Sequence, residues 1–295
     1  MDKIECPICF SESRFWDSAQ EDILTRHSSG EIKIFKIYKC NGCGHGFIYP
    51  NFKNNEELMK LYDETYGKTY DPDVDEKSIQ LRDKQYSVDV ELVKKYLSKE
   101  RITVLDVGCS TGLFLNNMPS NWDKFGYDII QYYLDYIKDN YKDITPLSET
   151  SKMKNDFFDL ITLRGVIEHM FDFSELFLLI NKKLKKDGII FICATPDFNS
   201  PCSYLYKSNW NQIDPPFHYH QFTATSITML FAKHGFGLKA LNYQYLETPY
   251  ANFHNDADKY IKNIKRYYEK KDPTDTIHAY PGNMMSLIFE KIKIK

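Results

Sequence analysis

The stretch Val104-Leu105-Asp106-Val107-Gly108-Cys109-Ser110-Thr111-Gly112 decides the fold. Its apolar half reads as a buried parallel strand, after which Gly108 and Gly112 permit a tight turn into a helix. Glycine suits such a turn because a ligand can approach backbone that a β-carbon would shield. Farther on, Asp128 ends a second strand, Lys124-Phe125-Gly126-Tyr127-Asp128. A carboxylate there is placed to accept hydrogen bonds from a ribose diol. Together these features describe a nucleoside pocket, with Asp106, Gly108, Ser110, Gly112, Asp128 and its neighbour Ile129 as candidate binding residues.

The turn reads G-x-x-x-G rather than the dinucleotide fingerprint G-x-G-x-x-G. Asp106 precedes it, and a carboxylate beside a pyrophosphate would repel it, whereas the same charge suits an ammonium and a sulfonium. On Asp106, Gly108 and Gly112 the sequence resembles the class I S-adenosylmethionine-dependent methyltransferases, whose first motif reads D-x-G-x-G-x-G; Ser110 stands at the usual middle glycine. The downstream order matches too. Phe158 to Leu163 reads as a strand, Arg164-Gly165-Val166-Ile167-Glu168-His169-Met170 follows, Ser174 to Leu184 is apolar at helical spacing and stops at Gly188, and Ile189 to Pro196 is the next strand. That family shows strand, V-x-E-H, helix, L-K-P-G-G, strand, T-P in the same order. The resemblance spans residues 100 to 240 or so. It implies an α/β fold: a Rossmann-like, seven-stranded, mostly parallel sheet with helices on both faces. It also implies S-adenosylmethionine as cofactor and adds Arg164 to the pocket.

The 295 residues can hold one such domain plus a smaller module. A formal charge of −3 with acids and bases mixed, and no long basic run, implies no dedicated nucleic-acid or acidic-membrane surface. Met1-Asp2-Lys3-Ile4-Glu5 is no signal peptide and no stretch approaches a membrane span, so a soluble cytoplasmic protein is expected. Seven cysteines are an odd count, and four of them form C-x-x-C pairs. A reducing compartment and metal ligation explain this better than disulfides.

Cys6-Pro7-Ile8-Cys9 and Cys40-Asn41-Gly42-Cys43 read as two knuckles that together aim four thiolates at one zinc. Four thiolates leave no open position, so the zinc is expected to be structural. A module of this size buries too little surface to fold unaided, and structural zinc contributes about 10–16 kcal/mol. Neither pair has the βαβ context of a redox C-x-x-C. Glu31 to Tyr38 alternates like a strand of the ribbon, and His45 is expected at the surface or as a cap. The expected organisation is a zinc ribbon over 1–50, a helical connector over 51–98, and a methyltransferase domain over 99–295 with a polar insertion near 250–282. Tyrosines of the connector (Tyr62, Tyr66, Tyr70) either pack a helical cap or reach the pocket; zinc-headed methyltransferases of surface-sugar and deoxysugar pathways carry a similar L-x-x-x-Y-x-x-x-Y segment there. The closing Lys-Ile-Lys-Ile-Lys reads as an edge strand guarded by lysines.

Methyl transfer from a sulfonium is an in-line displacement, so the protein supplies alignment and, for a hydroxyl or carbon acceptor, a base. Histidine titrates in the right range. His169 follows the cofactor-side strand, and Glu168 beside it reads as a loop anchor. His218 lies in Phe217-His218-Tyr219-His220-Gln221-Phe222-Thr223-Ala224-Thr225-Ser226, similar to the E-H-x-x-x-F-S-A-T-S segment of zinc-headed sugar C-methyltransferases, whose histidine is the base. Phe217 stands where their glutamate would be, which favours a hydroxyl over a carbon acceptor. Trp210, Tyr204 and Tyr206 could form a stacking platform or pack a lid, and Cys109, Cys193 and Cys202 read as packing residues. The resemblance implies a small polar acceptor, a sugar or nucleotide-linked sugar of bacterial surface-polysaccharide synthesis. Two rivals stand beside it: an RNA methyltransferase, disfavoured by the charge balance, and a non-catalytic platform built on the same fold and ribbon.

Overall fold

The computed structural model describes residues 3–20, 33–50, 76–275, 277 and 279–292. Its centre is a seven-stranded sheet. The parallel strands are β4 (Thr103–Val107), β5 (Asp123–Tyr127), β6 (Ile144–Leu147), β7 (Phe158–Arg164) and β8 (Leu184–Pro196). β11 (Met284–Lys291) runs antiparallel to both of its neighbours, β8 and β10 (Phe236–Asn242). Across the sheet the order is β10-β11-β8-β7-β4-β5-β6. The mostly parallel expectation therefore holds, with one reversed strand.

Every residue of β4 is buried, as a central strand covered on both faces requires. Alternate side chains feed two cores. Leu105 and Val107 join Leu163, Ile180 and Phe231 on one face, while Val104 joins Val93, Ile137 and Phe191 on the other. The first face is covered by α4 (Ser174–Lys183) and α6 (Ala224–Lys233), the second by α1 (Glu76–Lys94) and α3 (Gln131–Asn140). A short helix, α2 (Leu113–Asn116), follows the turn after β4. Thr223 caps α6 reciprocally with Ser226, and each side-chain hydroxyl bonds the other's backbone N–H.

The N-terminal ribbon comprises β1 (Ser13–Gln20), β2 (Ile34–Cys40) and β3 (Gly46–Ile48), all antiparallel. A fourth strand, β9 (His220–Gln221), comes from beyond β8 in the chain. The ribbon is therefore continuous with the main body, and its cysteines Cys6, Cys40 and Cys43 belong to the same core as Ile227 and Leu230.

Several expectations change. His45 is fully buried, because its ring lies among Phe47, Phe222 and His220. β11 is an interior strand rather than an edge, and Lys291 bonds the Leu184 carbonyl; residues 293–295 lie outside the described residues. Within the polar excursion, α7 (Phe253–Tyr268) packs Tyr260 and Ile264 against Trp210 and Tyr206 with α5 (Pro201–Tyr206) beneath, and the buried amide of Asn263 bonds Tyr206, Lys259 and Thr274. Trp210 and Tyr206 are 2 % exposed and serve as core, not as a stacking platform; Tyr204 is 60 % exposed. Tyr62, Tyr66 and Tyr70 lie outside the described residues.

Candidate active site

β4 is where the strand order turns, with β5 on one side and β7 on the other. Crevices form at such switch points, beyond the carboxyl ends of the strands. A cavity of 1070 Å³ opens there, lined by Asp106, Gly108, Ser110, Asp128, Ile129, Arg164, His169 and His218 among others. All the expected pocket residues meet in it except Gly112, which lies just behind the lining.

The glycines answer to a second constraint beside the turn and the ligand approach expected of them. Gly108 and Gly112 have φ of +70° and +79°, a region disfavoured for L side chains. A β-carbon on Gly108 would lie 2.7 Å from Val166, and one on Gly112 would lie 2.9 Å from Ile137 on α3. Close approach of protein to protein therefore also excludes a side chain at both. Ser110 itself adopts φ +47°, held by its N–H donating to Asp128 Oδ2 at 2.9 Å. The other Asp128 oxygen accepts from the Ile130 N–H at 2.9 Å. Each carboxylate oxygen can accept twice, so Asp128 fastens the loop and keeps acceptor capacity toward the cavity. Burial raises its pKa, and the backbone donors Ile130 and Ser110 oppose that rise.

Asp106 is 2 % exposed, and its Oδ1 accepts from the Thr162 hydroxyl at 2.5 Å. Burial pushes its carboxyl up to about 7, against the pull of Thr162 and the Arg164 charge. A cation arriving beside such a group favours its charged form, which suits an ammonium-bearing cofactor. Arg164 closes the opposite wall. Its Nε donates to Asp89 at 3.0 Å and its guanidinium lies 4.4 Å from the Tyr86 ring centre. Asp89, Tyr86 and Arg82 all come from α1, and Tyr86 and Arg82 line the cavity. No motif marks these residues; only their one-turn spacing on a helix could have suggested a shared face.

Across the cavity, Glu168, His169 and His218 converge, with one ligating atom of each within 4.8 Å of the others. Glu168 is 2 % exposed and accepts from the Thr195 hydroxyl at 3.2 Å. It brings a carboxylate beside the two histidines, and burial raises its pKa against the pull of the His218 charge. His218 Nδ1 lies 2.7 Å from the Gln212 carbonyl oxygen. A carbonyl only accepts, so Nδ1 carries a hydrogen, and in the neutral ring Nε2 then holds the lone pair. The two histidine rings meet edge to face at 4.7 Å. His169 is bonded to the Phe217 backbone, and enclosure together with the nearby His218 holds it neutral. His220 is spent elsewhere: Nδ1 meets His45 Nε2 at 3.0 Å in the interior.

The four cysteines converge as their spacing implied. Sγ separations are 3.6 Å for Cys6–Cys43, 3.4 Å for Cys9–Cys40 and 3.5 Å for Cys9–Cys43. Tetrahedral Zn–S bonds of about 2.3 Å place sulfurs about 3.8 Å apart, so the set fits zinc with slight expansion. Backbone N–H groups of Ile8 and Gly42 point at the Cys6 and Cys40 sulfurs, as suits thiolates. The Cys43 hydrogen bond draws the Cys6 thiol below its ordinary range, against the effect of burial. His45 stands outside this cluster.

A family profile described as a methyltransferase domain matches residues 80–241, more than half of the chain. No curated protein matches the sequence significantly. Among solved structures, a chain of the complex between the Haloferax volcanii Trm112 methyltransferase activator and a protein described as a methyltransferase is similar at 13 % identity and TM-score 0.51, covering 72 % of this chain and 94 % of that one. A protein from Bacillus halodurans, also described as a methyltransferase, is similar at 15 % identity and TM-score 0.50, covering 70 % and 100 %. These likenesses concern the fold. Among the described residues no helix is long and apolar enough to cross a membrane. The family match over residues 80–241, on a seven-stranded sheet whose switch-point cavity carries Asp106 and Asp128, places this chain in the methyltransferase-domain family, as an S-adenosylmethionine-dependent methyltransferase.

Proposed function

We propose that the enzyme methylates a hydroxyl of a small polar acceptor, a sugar or nucleotide-linked sugar, and that His218 takes the proton. One observation carries the second half: the 2.7 Å contact of Nδ1 with the Gln212 carbonyl, which leaves the Nε2 lone pair of a cavity-lining imidazole as the acceptor. S-adenosylmethionine, when bound, supplies an electrophilic methyl group. The chain's own residues do the rest. Asp128 accepts from the ribose hydroxyls, Asp106 offsets the ammonium, and Ile129, 59 % exposed at the rim, offers an apolar edge. Ser110 and Arg164 shape the walls. His169, kept neutral, lies beside His218 without adding charge, and Glu168 stabilises an imidazolium once His218 has accepted its proton. Cys6, Cys9, Cys40 and Cys43 hold the structural zinc.

The carbohydrate acceptor is supported by the likeness of residues 217–226 to the base segment of zinc-headed sugar methyltransferases, and a surface-polysaccharide pathway rests on the same likeness. The test offers purified enzyme and labelled S-adenosylmethionine to a panel of nucleotide-linked sugars and, separately, to transfer RNA. Label in a sugar supports the reading, while label in RNA alone moves the enzyme to the RNA class. His218→Ala is expected to lower turnover at least about a hundredfold with cofactor affinity unchanged. Full activity in both His218→Ala and His169→Ala would leave alignment as the mechanism.

A further inference from the structure

The ribbon reaches the acceptor side of the cavity through backbone. Gly46 and Phe47 of β3 pair with Gln221 and His220 of β9, and the Ile48 N–H donates to the Tyr219 carbonyl at 3.2 Å. The Thr223 hydroxyl donates to the carbonyl of Cys43, a residue of the second knuckle, at 2.9 Å. His45 and His220 meet at the same seam. The seam then connects to the site through one side chain. Gln221, 3 % exposed, donates its amide hydrogens to the Ile213 and His218 carbonyls, each at 2.9 Å. Those carbonyls adjoin the pair that sets the tautomer, Gln212 O and His218 Nδ1.

We propose that the zinc ribbon positions the acceptor-side histidine: β3 and the Cys43 carbonyl hold residues 219–223, and Gln221 passes that hold to His218 by fastening both ends of the loop that presents it. Gln221 and Gly46 are thus positioning residues. The importance of His218 rests on the proton-acceptor reading above; the positioning itself does not. A buried amide that bonds both ends of one loop fixes the loop's span, and with it the distance from the Gln212 oxygen to the imidazole.

The test is spectroscopic and needs no acceptor. Gly46→Ala drives a β-carbon to 2.5 Å from Phe198 and 2.8 Å from Gln221, prising β3 from β9. Gln221→Leu leaves the strands paired and removes both amide donors. Histidine-labelled enzyme is read by imidazole nitrogen shifts, alongside zinc content and calorimetric S-adenosylmethionine affinity. The expected result in both variants is a fall in the Nδ1–H form of His218, a shift of roughly two- to tenfold in tautomer ratio for one lost or lengthened hydrogen bond. Zinc should stay at one per chain and cofactor affinity should stay within about twofold. A His218 tautomer ratio equal to that of the wild type in either folded variant overturns the proposal. So does a fall of about tenfold or more in cofactor affinity, a loss of about 1.4 kcal/mol, because the change would then reach the cofactor side and not the acceptor-side histidine in particular. If Gly46→Ala fails to fold, Gln221→Leu decides alone. Should His218→Ala keep full turnover, the proton-acceptor reading fails while these spectra still report on positioning.

Discussion

Replacing Asp128 by alanine separates the loop fastening that the structure shows from the ribose contact proposed above. Asp128 accepts from the Ser110 and Ile130 N–H groups, both at 2.9 Å, and it lines the cavity. Hydrogen bonds to a charged group contribute about 1.5–3 kcal/mol each. The fastening job therefore appears in the free enzyme. Two donors lose their acceptor and Ser110 loses the contact that holds its left-handed backbone, against which the relieved desolvation of a buried carboxylate counts in the variant's favour. The net loss of unfolding free energy is expected at about 1–3 kcal/mol. The ribose job appears only on binding. Losing charge-assisted contacts to the diol should cost about 2–3 kcal/mol more, or roughly 30- to 150-fold in the dissociation constant. Asp128→Asn refines the result, since an amide can accept on one oxygen only and turns a donor toward the other N–H. Denaturant unfolding measures the first effect, and calorimetry with S-adenosylhomocysteine measures the second. If Asp128→Ala loses stability as expected while affinity stays within about twofold, Asp128 is a loop fastener and the ribose assignment is wrong.

Titration of Asp106 gives a signed pH dependence. Its pKa in the folded enzyme, about 7, lies above the ordinary carboxylate value, so its contribution favours folding at low pH and is lost as pH rises through about 7. A bound ammonium favours the ionised form, so S-adenosylmethionine affinity should rise with pH and level off above about 7; Asp106→Asn should flatten both trends, and calorimetry across pH checks this. Elemental analysis should find one zinc per chain, and Cys40→Ser should lose it along with much of the cooperative unfolding transition, because the ribbon cysteines share the main core. Gly108→Ala should lower stability by about 1–2 kcal/mol for its left-handed backbone, plus the cost of the 2.7 Å contact with Val166. In the double variant Val166→Ala should recover the second part but not the first, as read by thermal unfolding.

Much of this molecule is legible in the chain because it is local. An apolar run carrying an acid and followed by glycines specifies a strand and a turn within a few residues, and a second short strand ends in another acid, which is why the sequence suffices to bring Asp106, Gly108 and Asp128 to one crevice. The order of the later motifs carries the sheet, and a pair of C-x-x-C knuckles carries its own chemistry wherever it occurs. What tertiary structure alone decides depends on groups far apart in sequence. Arg164 meets Asp89 from a helix 75 positions earlier, and Glu168 comes within 4.8 Å of His218, fifty positions later in the chain. His45, expected at the surface, is sealed in by a strand that arrives 175 positions later. Pairing between distant strands leaves no periodic trace in either of them. β9 is two residues long, too short to show an alternation, and it closes the ribbon only because the Cys43 carbonyl and the edge of β3 were left needing partners.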